Sequence, residues 1–106
     1  MNDRRDYVLA HTPRQIVEEK GYTFANSIFH EYFSKYDDDD LIEEFNYVDY
    51  IDRLPSDSYF DNYYQKNYRD NQYGLTPEDI KLAFISVVSV LYAQDIRNEK
   101  RKQLRA

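Results

Sequence analysis

The sequence predicts an all-α protein, a compact bundle of four to five helices around a buried C-terminal helix. Two observations support this class. Apolar residues recur at the three- and four-residue spacing of amphipathic helices along most of the 106-residue chain. Several of these stretches follow a Thr-Pro pair or a serine, which suit helix starts. A chain of this length holds one core, so we expect a single domain over residues 1–106, with residues 97–106 as a basic helical or frayed tail.

The first two predicted helices have clear boundaries. Thr12 is a candidate N-cap that Gln15 completes as a capping box, and Pro13 suits the first helical position. Gly21 is expected to end this helix because glycine readily adopts the backbone conformation that follows a helix. A second helix then begins at Thr23. Its aromatic and aliphatic residues fall within one half of the helical wheel, which predicts a clearly amphipathic helix.

The third predicted helix covers residues 41–54. Four aspartates at 37–40 provide an N-cap and negative charge at its positive end, and Pro55 ends it. Leu41, Phe45, Val48 and Ile51 form one apolar stripe, and Tyr47, Tyr50 and Leu54 form a second stripe roughly opposite. This helix therefore either packs on two sides or exposes its tyrosine stripe.

The last two helices complete the predicted bundle. Ser56 or Ser58 caps a helix that has five aromatic residues on one face, and Thr76-Pro77 begins the final helix. Residues 82–93 are apolar on nearly every side, which is typical of a helix at the centre of a bundle. The expected core residues are Phe24, Ile28, Phe45, Val48, Ile51, Ile80, Phe84, Val87, Val88 and Leu91.

The charge of the chain is distributed unevenly. Residues 1–20 are neutral overall, with four basic and four acidic groups. Residues 21–79 carry 14 acidic groups against four basic ones, a net charge of −10. Residues 80–106 carry six basic groups against two acidic ones, a net charge of +4. The overall charge of −6 thus conceals an acidic body and a basic tail.

Several classes of function find no support in the sequence. The chain has no cysteine, which excludes disulfides and thiolate chemistry, and its two histidines, His11 and His30, are interpreted as surface residues. Gly21 and Gly74 are too far apart to form a phosphate loop. The aspartates at 37–40 lack the spacing of a calcium loop, although a loose cation site there is a minor alternative. We therefore expect a non-enzymatic protein without a cofactor or metal, with catalysis as the less favoured class.

Two features of the sequence indicate where the protein is located. The longest apolar run has 12 residues, well short of the roughly 20 that cross a bilayer, so no membrane span is expected. The N-terminal residues carry charges of both signs and no apolar segment follows them, which is unlike a signal peptide. These features predict a cytoplasmic protein.

Aromatic and acidic residues coincide in the middle of the chain, which favours a protein-binding function. Residues 22–73 contain ten of the 12 tyrosines and five of the six phenylalanines. Tyrosine provides a large contact area at low entropic cost, and surrounding carboxylates favour a basic partner. The predicted binding surface consists of Asp37, Asp38, Asp39, Asp40, Glu43, Glu44, Tyr47, Tyr50, Asp57 and Asp61. The alternatives are a core rim filled by tyrosine and a homodimer formed through the tyrosine stripe.

The chain resembles, in type, the small acidic helical proteins of phages and mobile elements that block restriction or CRISPR nucleases by imitating DNA. The resemblance covers size, acidity and aromatic content, and no motif matches residue by residue. It implies a basic partner surface on a nuclease or another DNA-handling protein. The basic tail departs from this type, and a nucleic-acid-binding or regulatory accessory protein that acts through the tail is the alternative. Direct duplex binding is not expected, because the acidic body repels phosphates.

Overall fold

The chain is mostly helical in its computed structural model, which describes residues 3–33, 47–70, 74 and 76–105. Those ranges contain four α-helices and no strand, so the predicted all-α class is confirmed. The helices are α1 (Asp3–Leu9), α2 (Pro13–Ile28), α3 (Asp57–Asn67) and α4 (Pro77–Arg105). A π-helical turn, Phe29–Phe33, continues α2, and a 3-10 turn, Tyr47–Tyr50, lies between it and α3. All five of the other elements pack against α4.

Local side-chain bonds fix where three of the helices begin. The Thr12 hydroxyl accepts a hydrogen bond from the Gln15 backbone N–H, and the Gln15 side chain accepts one from the Thr12 backbone N–H. Thr76 and Asp79 form the same reciprocal pair at the start of α4. The Ser56 hydroxyl accepts from the Tyr59 backbone N–H before α3. The predicted starts at Thr12 and Thr76 are therefore confirmed, and Ser56 is the cap of α3 among the two candidates, Ser56 and Ser58. Each cap satisfies an N–H group that has no partner inside the helix.

Gly21 interrupts α2, as predicted. Its backbone has φ 83° and ψ −176°, which is not helical, and the helix continues on either side of this kink. A side chain at this φ and ψ would be strained, so glycine is required by the backbone rather than by lack of space.

The predicted helix over residues 41–54 is wrong in the part that the structure describes. Only Tyr47–Tyr50 are helical, in a 3-10 turn, and residues 51–56 have no helical structure. The carbonyl of Ile51 accepts a hydrogen bond from the Arg14 backbone N–H at 3.0 Å, so it is used by α2 rather than by a continuing helix. Pro55 adds to this effect, because the residue before a proline disfavours the α conformation. Residues 41–46 lie outside the described residues.

The core confirms most of the expected residues and corrects one. Six of them are buried: Ile28, Ile51, Ile80, Phe84, Val87 and Val88. Phe24 and Leu91 are half-buried and pack against core clusters, and Phe45 lies outside the described residues. Val48 is 54% exposed, so its assignment to the core is wrong. The 3-10 turn explains the exposure of Val48. With this backbone, Ile51 lies in the core and Tyr47 and Tyr50 pack against the edge of the core, so Val48 is left on the outside.

Candidate functional site

A groove of about 390 Å³ lies between the N-terminal ends of α3 and α4 and the last residue of α1, Leu9. We call it the acidic groove. Its lining combines three apolar residues and four charged ones: Leu9, Phe60, Pro77, Asp57, Asp61, Glu78 and Lys81. Phe60 is 2% exposed and forms the base, whereas the side chains of Asp57 and Glu78 are 84% and 55% exposed. The groove therefore has an apolar base and a charged rim.

Helix starts position the carboxylates of this rim. Asp57 is the first residue of α3, and Asp61 lies one turn later on the same helix face. Glu78 lies in the first turn of α4, directly after Pro77. Negative charge in the first turn of a helix is favourable, so Asp57 and Glu78 also stabilise the two helix starts. Two helix starts that lie side by side thus bring three carboxylates to one groove.

Cations partly compensate these carboxylates. Lys81 Nζ lies 3.3 Å from Asp57 Oδ1, and Arg5 contacts both Glu78 at 2.6 Å and Asp79 at 3.0 Å. The hydrogen bond to Glu78 has the largest effect and raises the pKa of Arg5; burial opposes it, and the contacts with Asp79 add to the increase. The residues that line the groove comprise three carboxylates and one ammonium group, so a net negative charge is left for a ligand.

The predicted binding residues fall into three sets. Asp57 and Asp61 lie together in the acidic groove. Tyr47 and Tyr50 are half-buried against the core cluster, and the Tyr50 ring meets the Phe84 ring edge-on at 5.6 Å. The acids predicted upstream of Tyr47, which are Asp37, Asp38, Asp39, Asp40, Glu43 and Glu44, lie outside the described residues. The binding role of all ten residues remains a prediction.

Sequence reasoning missed most of the groove lining. Leu9, Phe60 and Lys81 come from three helices, and only the packing of α1 and α3 on α4 brings them together. Glu78 carries a usable signal, since acids in the first turn after Thr76-Pro77 are typical of a helix start. Nothing in the sequence spacing indicated that the starts of α3 and α4 are neighbours.

The opposite end of α4 is basic. Helix α4 continues to Arg105, so the predicted tail is helical as far as that residue. The Arg97 guanidinium lies over the Tyr22 ring, 4.4 Å from its centroid. Tyr22, Gln94, Arg97 and Asn98 line a second, more polar pocket of about 290 Å³. We call residues 97–105 the basic segment; by sequence it contains five basic residues and one acidic residue.

His11 belongs to a cluster between α1 and α2. Its ring stacks on Tyr7 at 4.1 Å, and its Nδ1 lies 2.7 Å from the Tyr7 carbonyl oxygen. The Tyr7 hydroxyl donates a hydrogen bond to Glu19. Burial, followed by this bond to Glu19, raises the pKa of Tyr7 to about 12. A phenol with so high a pKa is a poor acid at neutral pH, so these contacts are best understood as holding α1 on α2.

The described residues form neither a metal-binding cluster nor a membrane-spanning helix. Within residues 4–33, 47–70 and 76–100, no three histidine, aspartate or glutamate side chains come close enough together to hold a metal ion. Among the described helices, none combines the length and the apolar character needed to cross a bilayer.

Comparison with known proteins adds no assignment. No family model matches the sequence, and no match was found among curated proteins or among solved structures.

Proposed function

We propose that this protein is a non-enzymatic binding module whose acidic side attaches to the basic surface of another protein. The observation that carries the proposal is the convergence of Asp57, Asp61 and Glu78 around one groove with an apolar base. Two of these three residues belong to the surface predicted from the sequence.

The combination of an apolar base and a carboxylate rim suits a long cationic side chain. Arginine and lysine have an apolar stem and a charged head, so a partner's side chain can place its stem against Phe60 and its head among the carboxylates. Exposed carboxylates also attract a basic surface before contact and speed its association. Lys81 competes for Asp57 and Arg5 competes for Glu78, which leaves Asp61 as the better-placed acceptor.

The more specific form of the proposal is an inhibitor that imitates DNA and occupies the basic groove of a nuclease or another DNA-handling protein. Asp57 and Asp61 are about 6 Å apart along the axis of α3. A DNA strand carries one charge per roughly 3.4 Å, so these two residues supply two widely spaced charges. Imitation of a longer DNA segment would depend on the acids at 37–40, 43 and 44, which the sequence places before Tyr47.

The test is a binding assay against purified restriction and CRISPR nucleases, with duplex DNA as the competitor. We expect at least one nuclease to bind the wild type and duplex DNA to displace it. Reversal of two rim charges by Asp57→Lys/Asp61→Lys should weaken that binding about tenfold or more, since each exposed charge pair contributes up to about 1 kcal/mol.

A matched control separates this effect from net charge. Asp70→Lys/Asp95→Lys makes the same change in total charge at two exposed positions that do not line the groove. It should retain most of the wild-type affinity. Equal weakening by both double variants would reject the groove as the site, and failure of the wild type to bind any protein in the panel would reject imitation of DNA.

A second candidate function is nucleic-acid binding through the basic segment. It is favoured by one observation: α4 remains helical to Arg105, with Arg97 and Lys100 exposed on it. The net charge of −10 on residues 21–79 opposes it. At about 0.15 M salt, where charges interact over about 8 Å, we expect no submicromolar binding to duplex DNA by fluorescence anisotropy. Submicromolar binding that Arg97→Glu/Lys100→Glu abolishes would place this function first.

A further inference from the structure

The two ends of α4 carry opposite charge. Its first five residues contribute Pro77, Glu78 and Lys81 to the acidic groove, whose other carboxylates come from α3. Its last part is the basic segment, which includes the exposed residues Arg97 and Lys100. The chain therefore presents an acidic docking groove and a cationic helical segment at opposite ends of one element.

The basic segment cannot reach the groove of its own chain. Helix α4 is continuous from Pro77 to Arg105, and Glu78 and Arg97 are separated by about 29 Å along its axis. A continuous helix of this kind does not fold back on itself. Any contact between the two features must therefore join different molecules.

The basic segment is also held in a defined position. The buried part of α4 ends at Ala93, and most residues from Gln94 to Lys100 are exposed. The stacking of Arg97 on Tyr22 ties the start of the segment to α2. A helix that is already formed and attached at its base loses less conformational freedom on binding than a disordered tail would.

We propose that the acidic groove docks the basic segment of a second copy of this chain, and that two copies pair antiparallel so that both grooves are filled. The proposal rests on the proposed function, since it uses the same groove as the docking surface. Because groove and segment lie at opposite ends of α4, an antiparallel pair related by a two-fold axis perpendicular to α4 places the groove end of each copy beside the segment end of its partner. Self-association would then compete with any other basic partner for the groove.

Salt provides the first measurement, because contacts between exposed charges weaken as screening increases. The range of charge interactions falls from about 10 Å at 0.1 M salt to about 3 Å at 1 M. In sedimentation velocity at about 200 µM protein, we expect dimers near 20 mM salt and monomers near 1 M, with an affinity loss of at least about tenfold. A wild type that is monomeric under both conditions would overturn the proposal.

A charge-swap experiment tests the pairing itself. Asp57→Lys/Asp61→Lys reverses the net charge of the groove lining, and Arg97→Glu/Lys100→Glu changes the net charge of residues 97–100 from +1 to −3. Each variant alone should be monomeric near 20 mM salt, because its groove and residues 97–100 of its segment have the same sign. An equimolar mixture should recover dimers, since each reversed feature meets an opposite charge on the other variant. All four positions are exposed, and circular dichroism checks that both variants keep the wild-type helix content.

Three other results would contradict the pairing. Dimers that survive in both variants would assign self-association to another surface, such as the stripe that holds Tyr47 and Tyr50. A mixture that stays monomeric would show that groove and segment do not meet. Masses that grow beyond a dimer with concentration would indicate an open head-to-tail chain instead of the antiparallel pair. Each of these outcomes leaves the nuclease assay unaffected, so failure here and failure of the proposed function are distinguishable.

Discussion

The two halves of α4 have opposite relations to solvent. Residues 82–90 are buried without interruption, on every side of the helix, and the burial ends at Ala93. From Gln94 to Lys100 most residues are exposed, and several are charged. One continuous helix thus belongs to the core at one end and to the charged surface at the other. The comparison shows that burial along this helix is determined by what packs around it, since its backbone is regular throughout.

The two halves of α4 differ in how their polar side chains find hydrogen-bond partners. Ser86 and Ser89 are completely buried, and their hydroxyls donate to the carbonyls of Ala83 at 2.8 Å and Ile85 at 2.7 Å. These bonds within the helix satisfy the hydroxyls and remove the cost of burying them. From Gln94 to Lys100 most side chains are exposed to water, so their polar groups need no such arrangement.

The largest expected effect comes from truncation in the buried half. Phe84 is fully buried, and its ring meets both Phe60 and Tyr50 edge-on. Phe84→Ala should lower the free energy of unfolding by about 3–5 kcal/mol, because it removes these contacts and leaves a cavity. Asn98→Ala in the exposed half should change it by no more than about 0.5 kcal/mol. Urea unfolding measures both, and similar losses in the two variants would remove the distinction between the halves.

A smaller loss of stability is expected from a substitution at the kink of α2. This helix contacts both the buried and the exposed half of α4. Ala25 and Ile28, after the kink, join the core, while Tyr22, next to Gly21, lies under Arg97. Gly21→Ala should destabilise the protein by about 1–3 kcal/mol, because alanine is strained at this φ and ψ although space is available.

Glu18→Ala is the matched control for the kink, since Glu18 is an exposed residue of ordinary helical conformation in α2. Its free energy of unfolding, measured in urea, should stay within about 0.5 kcal/mol of the wild-type value. A Gly21→Ala variant as stable as this control would show that α2 can straighten without cost and that the kink does not determine the packing on α4.

The smallest expected effect is on the pH dependence of stability. It concerns α1, which packs on α4 and α2 and contains Tyr7. The native pKa of Tyr7 is about 12, above the value of about 10 for an unfolded tyrosine, so folding favours the neutral phenol. This contribution is complete below pH 10 and is lost as the pH rises through 12, because the unfolded state releases its proton first. Stability should therefore fall across this interval.

Tyr7→Phe tests the pH dependence, since it removes the ionisable hydroxyl and should make the decline between about pH 10 and 12 shallower. Glu19→Gln should also make it shallower, because it removes the carboxylate that raises the pKa of Tyr7. Urea midpoints at several pH values provide the comparison. A Tyr7→Phe slope equal to that of the wild type would contradict the assigned pKa.

The sequence was informative where structure depends on neighbours along the chain. The caps at Thr12, Ser56 and Thr76, the break at Gly21 and the burial of residues 82–90 were all predicted, since each follows from local chemistry or helical periodicity. The prediction failed at Val48, where a bond between Arg14 and Ile51 replaced the expected helix. Of the seven described residues that line the groove, only Asp57 and Asp61 were predicted as site residues, because residues such as Leu9 and Lys81 join it through contacts that sequence spacing does not reveal.

Residue-resolved hydrogen exchange along α4 tests the central claim most directly, which is that one helix is core at one end and exposed charged surface at the other. The measurement is made near 1 M salt, where paired copies should be separated. Amides of residues 82–93 should exchange only with near-global unfolding, whereas those of residues 97–104 should exchange through local opening at much lower free energy. Equal protection along the whole of α4 would contradict the account.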